Sequence, residues 1–123
     1  MTGIAERVLQ SSVRAQARST ASVMMNLVEE VGELARALNR PYRCDEPAIA
    51  EIADVINCAI DLAYMLELQD CINPRDSDLK EIAETVQRRL EHHVDKKCNK
   101  WDSIVEKMGR SKDGELCENR FLG

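Results

Sequence analysis

Glu29, Glu30 and Glu33, followed by Glu51 and Asp54, stand in a segment otherwise rich in Val, Leu, Ile and Ala. With 3.6 residues per helical turn, positions three and four apart share a face. The first three glutamates therefore cluster within one turn, and Glu51 and Asp54 form a second cluster on a following helix. A buried carboxylate is very costly unless it is paired or holds a metal. Five acids beside apolar stripes, with Arg36 as the nearby cation, suggest a polynuclear divalent-metal site. Two i, i+3 pairs, Glu30/Glu33 and Glu51/Asp54, can aim four carboxylates into one gap if their helices are antiparallel neighbours. An oxygen-only ligand set favours Mg²⁺ or Mn²⁺ over softer metals. Two or more such ions can clamp a polyphosphate and generate hydroxide for in-line attack. The competing reading is a solvated helix face. The second pair lies inside the most apolar helix of the chain, which weighs against it.

The elements that must position these acids read as helices throughout, with no strands. A first helix is expected over Gly3 to Ala17, with Ile4, Val8, Leu9 and Val13 on one side. Ser19, Thr20 or Ser22 can cap a second helix running to about Asn39. Pro41 and Pro47 bracket a loop, Arg40 to Glu46, and Pro47 suits the first turn of the next helix. That third helix, about Pro47 to Leu68, is apolar around most of its circumference and is expected in the middle of a bundle. Its exception is a polar line of Glu51, Asp54, Asn57 and Asp61. A loop from Asp70 to Asp78 precedes a long last helix, about Asp78 to Met108, stopped by Gly109. Its apolar stripe includes Leu79, Ile82, Val86, Leu90, Val94, Trp101, Val105 and Met108. The expected organisation is one helical domain over residues 1–108 and a tail over 109–123.

Composition narrows the partners. The chain has 123 residues, of which 44% are hydrophobic and only 3% aromatic, with a formal net charge of −5. A nucleic-acid backbone is an unfavourable partner for that charge, and the few aromatics offer little base stacking. Phosphate becomes a ligand only with metal present. Five scattered cysteines without a CxxC pair read as reduced thiols. No run approaches the ~18 apolar residues of a membrane span. Glu6 and Arg7 interrupt the N-terminal region, so no signal peptide is expected. These features lead to an expectation of a cytoplasmic protein.

The segment EEVGELARAL at Glu29 to Leu38, followed by EIADV at Glu51 to Val55, resembles the MazG-like all-α nucleoside triphosphate pyrophosphatases. Their signature is EExxE, a spacer, then ExxD; here residues 34–50 form the spacer. The resemblance extends to the order of helices and to the basic stretch DKKCNKW at Asp95 to Trp101, and so spans roughly Met24 to Trp101. It implies a four-to-five-helix bundle that hydrolyses a (deoxy)nucleoside triphosphate between the α and β phosphates, releasing monophosphate and pyrophosphate. Carried over residue by residue, it implies Mg²⁺ on Glu30, Glu33, Glu51 and Asp54, with two or more ions per site and Mn²⁺ as a substitute. Glu29 or Glu30 would act on the attacking water. Lys97, Lys100 and Lys96 would contact phosphate, although Cys98 and Asn99 depart from the more basic family pattern. The resemblance also implies dimers whose partners complete the pocket. The apolar excess of the chain itself suggests a homodimer or homotetramer.

Weaker candidates surround this core. Asn57 can reach ribose or base, or serve as a satisfied polar core residue, and Asn26 has the same two readings. Trp101 can stack on a base or pack into the core. His92 and His93 are adjacent and suit a solvated surface. A ferritin-like di-iron bundle needs Glu-x-x-His, but Arg89 and Leu90 occupy the positions three before the histidines. A phosphoribosyl-ATP pyrophosphatase-like enzyme and a non-catalytic helical assembly protein are the alternatives to a nucleotide-pool diphosphohydrolase. The sequence does not select the base.

Overall fold

The computed structural model describes residues 3–108. Among these the chain is all-helical: α1 (Ile4–Arg14), α2 (Thr20–Asn39), α3 (Ala48–Gln69) and α4 (Leu79–Lys107), with short 3₁₀ turns at Pro41–Arg43 and Asp76–Asp78. The all-α expectation holds, and none of the described helices is long and apolar enough to cross a membrane. Ser19 is the cap of α2, its hydroxyl accepting from the Ser22 N–H at 3.0 Å. Pro47 stands one residue earlier than expected, at the N-cap of α3 in extended conformation. The first helix ends at Arg14 instead of Ala17, because Ala15 turns extended while its N–H still bonds the Ser11 and Ser12 carbonyls. Gly109 and the tail lie outside the described residues.

Contacts divide the chain into two compact units, Met1–Arg88 and Arg89–Gly123. In the first, α3 packs against both α2 and α1. Thr20 Oγ1 donates to Gln69 Oε1 at 2.8 Å, joining the start of α2 to the end of α3. The two helices therefore run antiparallel, which returns the start of α3 to the end of α2. Leu9, Val23, Ala37, Tyr64, Met65, Ile82, Ala83 and Val86 form the buried apolar set. The apolar circumference of α3 is only partly covered: Ile49, Ile52 and Leu66 remain exposed, as do Met24, Met25, Val28 and Val31 of α2. Two neighbours cannot cover every side of a helix.

In the second unit, residues 89–107 continue α4. Leu90 and Val105 are half-buried, whereas Val94, Ile104 and Met108 are exposed. Trp101 is also exposed, so the expected core stripe does not extend into this unit. His92 and His93 are both exposed, as expected for a solvated surface, with their rings edge to face at 5.2 Å.

The polar line of α3 ends in a structural network. Asp61 accepts from Ser12 Oγ at 2.7 Å and from Arg18 Nε at 3.0 Å, and also pairs with Arg18 Nη2. Arg18 further donates to the Ser12 and Gln16 carbonyls and lies over the Tyr64 ring. This cluster ties the connector after α1 to α3. Burial pushes the Asp61 carboxyl up, but hydrogen bonds from Arg18 and Ser12 and the charge of Arg18 outweigh it, leaving a net downward shift. The contribution of Asp61 is thus present above its ordinary value of 3.8 and is lost as pH falls through its lower folded value. Asp61→Asn is expected to cost about 1–3 kcal/mol by leaving a part-buried guanidinium without its counter-charge. It should also remove part of the acid sensitivity of unfolding. Urea unfolding at pH 7 and across the acid range measures both effects.

Candidate metal centre

The helical spacing of EExxE places Glu30 toward α3, while Glu29 and Glu33 lie at the exposed edge. From α3, Glu51 and Asp54 sit one turn apart. Carboxylate oxygens of Glu30, Glu51 and Asp54 all lie within 4.8 Å of one another, a grouping able to hold a metal ion. Glu51 is only 8% exposed, and Glu30 and Asp54 are half-buried. One oxygen each of Glu30 and Glu51, Oε2 in both, is buried with no hydrogen-bond partner. An orphaned buried acceptor is unfavourable unless something fills its coordination. Two on facing helices, beside a third carboxylate, match the donor chemistry of a hard cation.

Electrostatics lead to the same conclusion. Burial, then the charges of Glu33, Asp54, Glu51 and Glu29, pushes the Glu30 carboxyl up. Burial, then Glu33, Glu46 and Asp54, pushes Glu51 up as well, while Arg36 offsets part of the repulsion. Glu33 is therefore the foremost charged neighbour of both Glu30 and Glu51, although it supplies no oxygen to the triad. The first acidic motif thus provides one inward carboxylate and two at the rim, and the second motif provides two inward ones.

Two cavities flank the triad along α3. Toward the start of α3, a polar cavity of about 300 Å³ is bounded by Glu33, Arg36, Arg43, Cys44, Glu46 and Glu51. Beyond Asp54, a second cavity of about 420 Å³ between α1 and α3 is lined in part by Val8, Ser11, Ala15, Asn57, Cys58 and Asp61. Asn57 is exposed at this cavity and is not a satisfied core residue. Burial, then the charges of Glu30, Asp61 and Asp54, pushes the Cys58 thiol up. Lys97, Lys100 and Trp101 are exposed residues of the second unit. Sequence reasoning overlooked Arg43, which stands in the connection between the motif helices. The available signal was topological: an antiparallel pair returns that connection to the acidic end of both helices. Comparison of the chain with protein-family models, curated proteins and solved structures gives no match.

Raised folded-state values for Glu30 and Glu51 mean that the folded chain binds these protons more tightly than the unfolded one. Their contribution to metal-free stability is therefore full below the ordinary value of 4.5 and lost as pH rises through the folded values. In the presence of EDTA, Glu51→Gln is expected to weaken that decline and raise neutral-pH stability. Millimolar Mg²⁺ should stabilise the parent protein at neutral pH and have less effect on the variant. Urea unfolding over pH 4 to 8, with and without Mg²⁺, tests this reversal.

Proposed function

We propose that the protein is a Mg²⁺-dependent (deoxy)nucleoside triphosphate diphosphohydrolase of the MazG-like type, acting in nucleotide-pool control or clean-up. The observation that carries this reading is the pair of orphaned buried carboxylate oxygens on Glu30 and Glu51 beside Asp54. The resemblance of EEVGE and EIADV to the family's paired acidic motifs supports it. Glu30, Glu51 and Asp54 hold the first ion, and Glu33, from the rim, helps hold a further one. When bound, the ions supply positive charge for the phosphates and increase the acidity of water.

The residues divide the remaining work. Glu29 and Glu30 are the candidates to orient and deprotonate the attacking water, and their position on one helix turn keeps that proton acceptor fixed relative to the cation site. Asn57, at the mouth of the larger cavity, contacts the nucleoside. For Lys97 and Lys100 the family resemblance implies phosphate contacts, and the ring of Trp101 is exposed enough to stack on a base. A homodimer or homotetramer is part of this proposal. The exposed Met25, Val28, Val31 and Ile49 provide apolar surface for a second copy. Light scattering at micromolar concentration is expected to give at least a dimer; a monomer counts against this part.

Incubation with the canonical (d)NTPs and Mg²⁺ should release pyrophosphate and monophosphate without an intermediate diphosphate. Glu30→Gln, Glu51→Gln or Asp54→Asn should retain helical circular dichroism but lower turnover on the order of 100-fold or more. Lys100→Ala should reduce kcat/KM by about tenfold. Product chromatography decides the mechanism: sequential release of orthophosphate from the γ end rejects it.

A further inference from the structure

Resting on the reading above, we infer that Arg36 and Arg43 form an anion subsite for the β and γ phosphates, so that the substrate lies along α3 with its phosphate tail toward the α2–α3 connection. Both arginines line the polar cavity that also contains Glu51. Neither guanidinium makes an ion pair with a carboxylate among the described residues. Arg43 is at the end of the 3₁₀ turn, where its guanidinium lies over the Tyr42 ring at 5.7 Å. Arg36 comes from the last turn of α2. Two separate elements therefore bring cationic groups to one cavity. A second observation joins that cavity to a ligand: Glu51, more than nine-tenths buried and with Oε2 unpartnered, belongs both to its wall and to the triad.

Charge gives the subsite a condition. Glu33, Asp45, Glu46 and Glu51 also line the cavity, so its acids outnumber its arginines in the metal-free protein. Cations on the triad neutralise part of this charge and make the site receptive to phosphate. The planar guanidinium can then donate two parallel hydrogen bonds to a phosphate, which a lysine cannot reproduce. The cavity on the other side of the triad contains Val8 and Ala15 beside Asn57 and Ser11, with Arg7 donating to the Ser11 hydroxyl and Asp61 paired with Arg18, a mixed lining suited to a sugar or base. Glu51 and Asn57 are separated by about 9 Å along the axis of α3. A single extended nucleotide therefore has a phosphate end and a nucleoside end matched to the two cavities, the second being the more apolar. Cleavage breaks the bond between the α-phosphorus and its bridging oxygen. The oxygen leaves with the β,γ-diphosphate, and water adds hydroxyl to the α-phosphorus while its proton passes to a carboxylate.

The test uses the full chain, Mn²⁺ as a probe of the triad, pyrophosphate as a probe of the arginine subsite, and the deoxynucleoside monophosphates as probes of the other end. Binding of Mn²⁺ to the parent protein is followed by electron paramagnetic resonance, and the phosphate probes by calorimetry with Mg²⁺ present. Arg43→Ala and the Arg36→Ala/Arg43→Ala double variant should weaken pyrophosphate binding at least tenfold. Monophosphate and Mn²⁺ affinities should change less than threefold in Arg43→Ala, and Arg43→Lys should recover only part of the pyrophosphate loss. Pyrophosphate binding should disappear with EDTA. Unchanged pyrophosphate affinity in the double variant overturns the subsite while leaving the metal centre intact. Loss of monophosphate affinity with pyrophosphate unaffected overturns the orientation. Absence of Mn²⁺ binding by the parent protein overturns the functional reading and this inference together.

Discussion

Three carboxylates are held together by two helices that offer them little compensation. Glu30 comes from α2 and Glu51 and Asp54 from α3, and the apolar pairing of these helices brings the acids within 4.8 Å. Water is largely excluded from Glu51, and two oxygens receive no hydrogen bond. Glu33, Glu29 and Glu46 add like charge around the site, against which Arg36 is the offsetting cation at Glu51. Such an arrangement opposes folding locally and is sustained by contacts elsewhere in the α2–α3 pair. The same arrangement creates a preformed oxygen-ligand set. Local instability and the proposed cation site have one origin.

The contrast with Asp61 shows how far environment governs the use of a residue type. Glu51, Asp54 and Asp61 occupy one polar line on α3, yet Asp61 receives hydrogen bonds from Arg18 and Ser12. Its charge is neutralised, its pKa falls, and it fixes the connector after α1. Glu51, two to three turns earlier, has no such hydrogen bond and its pKa rises. Arg18 is available to Asp61 because α1 ends at Arg14 and the chain doubles back. The early end of the first helix is therefore linked to the division of the acidic line into a structural part and a candidate catalytic part.

Helical periodicity made the four helices and the convergence of Glu30, Glu51 and Asp54 legible, since both follow from local spacing and one antiparallel pairing. The division of labour within EEVGE was less legible. Spacing puts Glu29, Glu30 and Glu33 on neighbouring positions of a turn, but only the contact with α3 makes Glu30 inward and Glu33 peripheral. Trp101 was misleading as a core residue because an apolar stripe records a preference for burial without naming the surface that covers it. Arg43 went unnoticed for the opposite reason: a loop has no periodicity, and its relation to Glu51 depends on the return of the chain. The exposed Val28, Val31 and Ile52 combine both difficulties, since local spacing does not name the surface that a proposed second copy would cover.

The order of residues along α3 adds a direction to the site. Its first turn carries Glu51, shared by the arginine-containing cavity and the triad, the next turn supplies Asp54, and Asn57 and Cys58 open onto the cavity shared with α1. A rigid helix keeps these three environments in a fixed sequence, as a linear ligand with chemically distinct ends requires. A compact oxyanion would occupy only one of them, and an uncharged ligand would leave both the arginines and the cation site unused. The proposed substrate, a nucleotide with its phosphates bound at one end and its nucleoside at the other, uses all three. On that proposal, base discrimination falls to the α1 side, while the cation and arginines act on groups common to every nucleoside triphosphate. Substitutions near Ser11 and Asn57 would then alter which base is accepted without changing the bond that is cleaved.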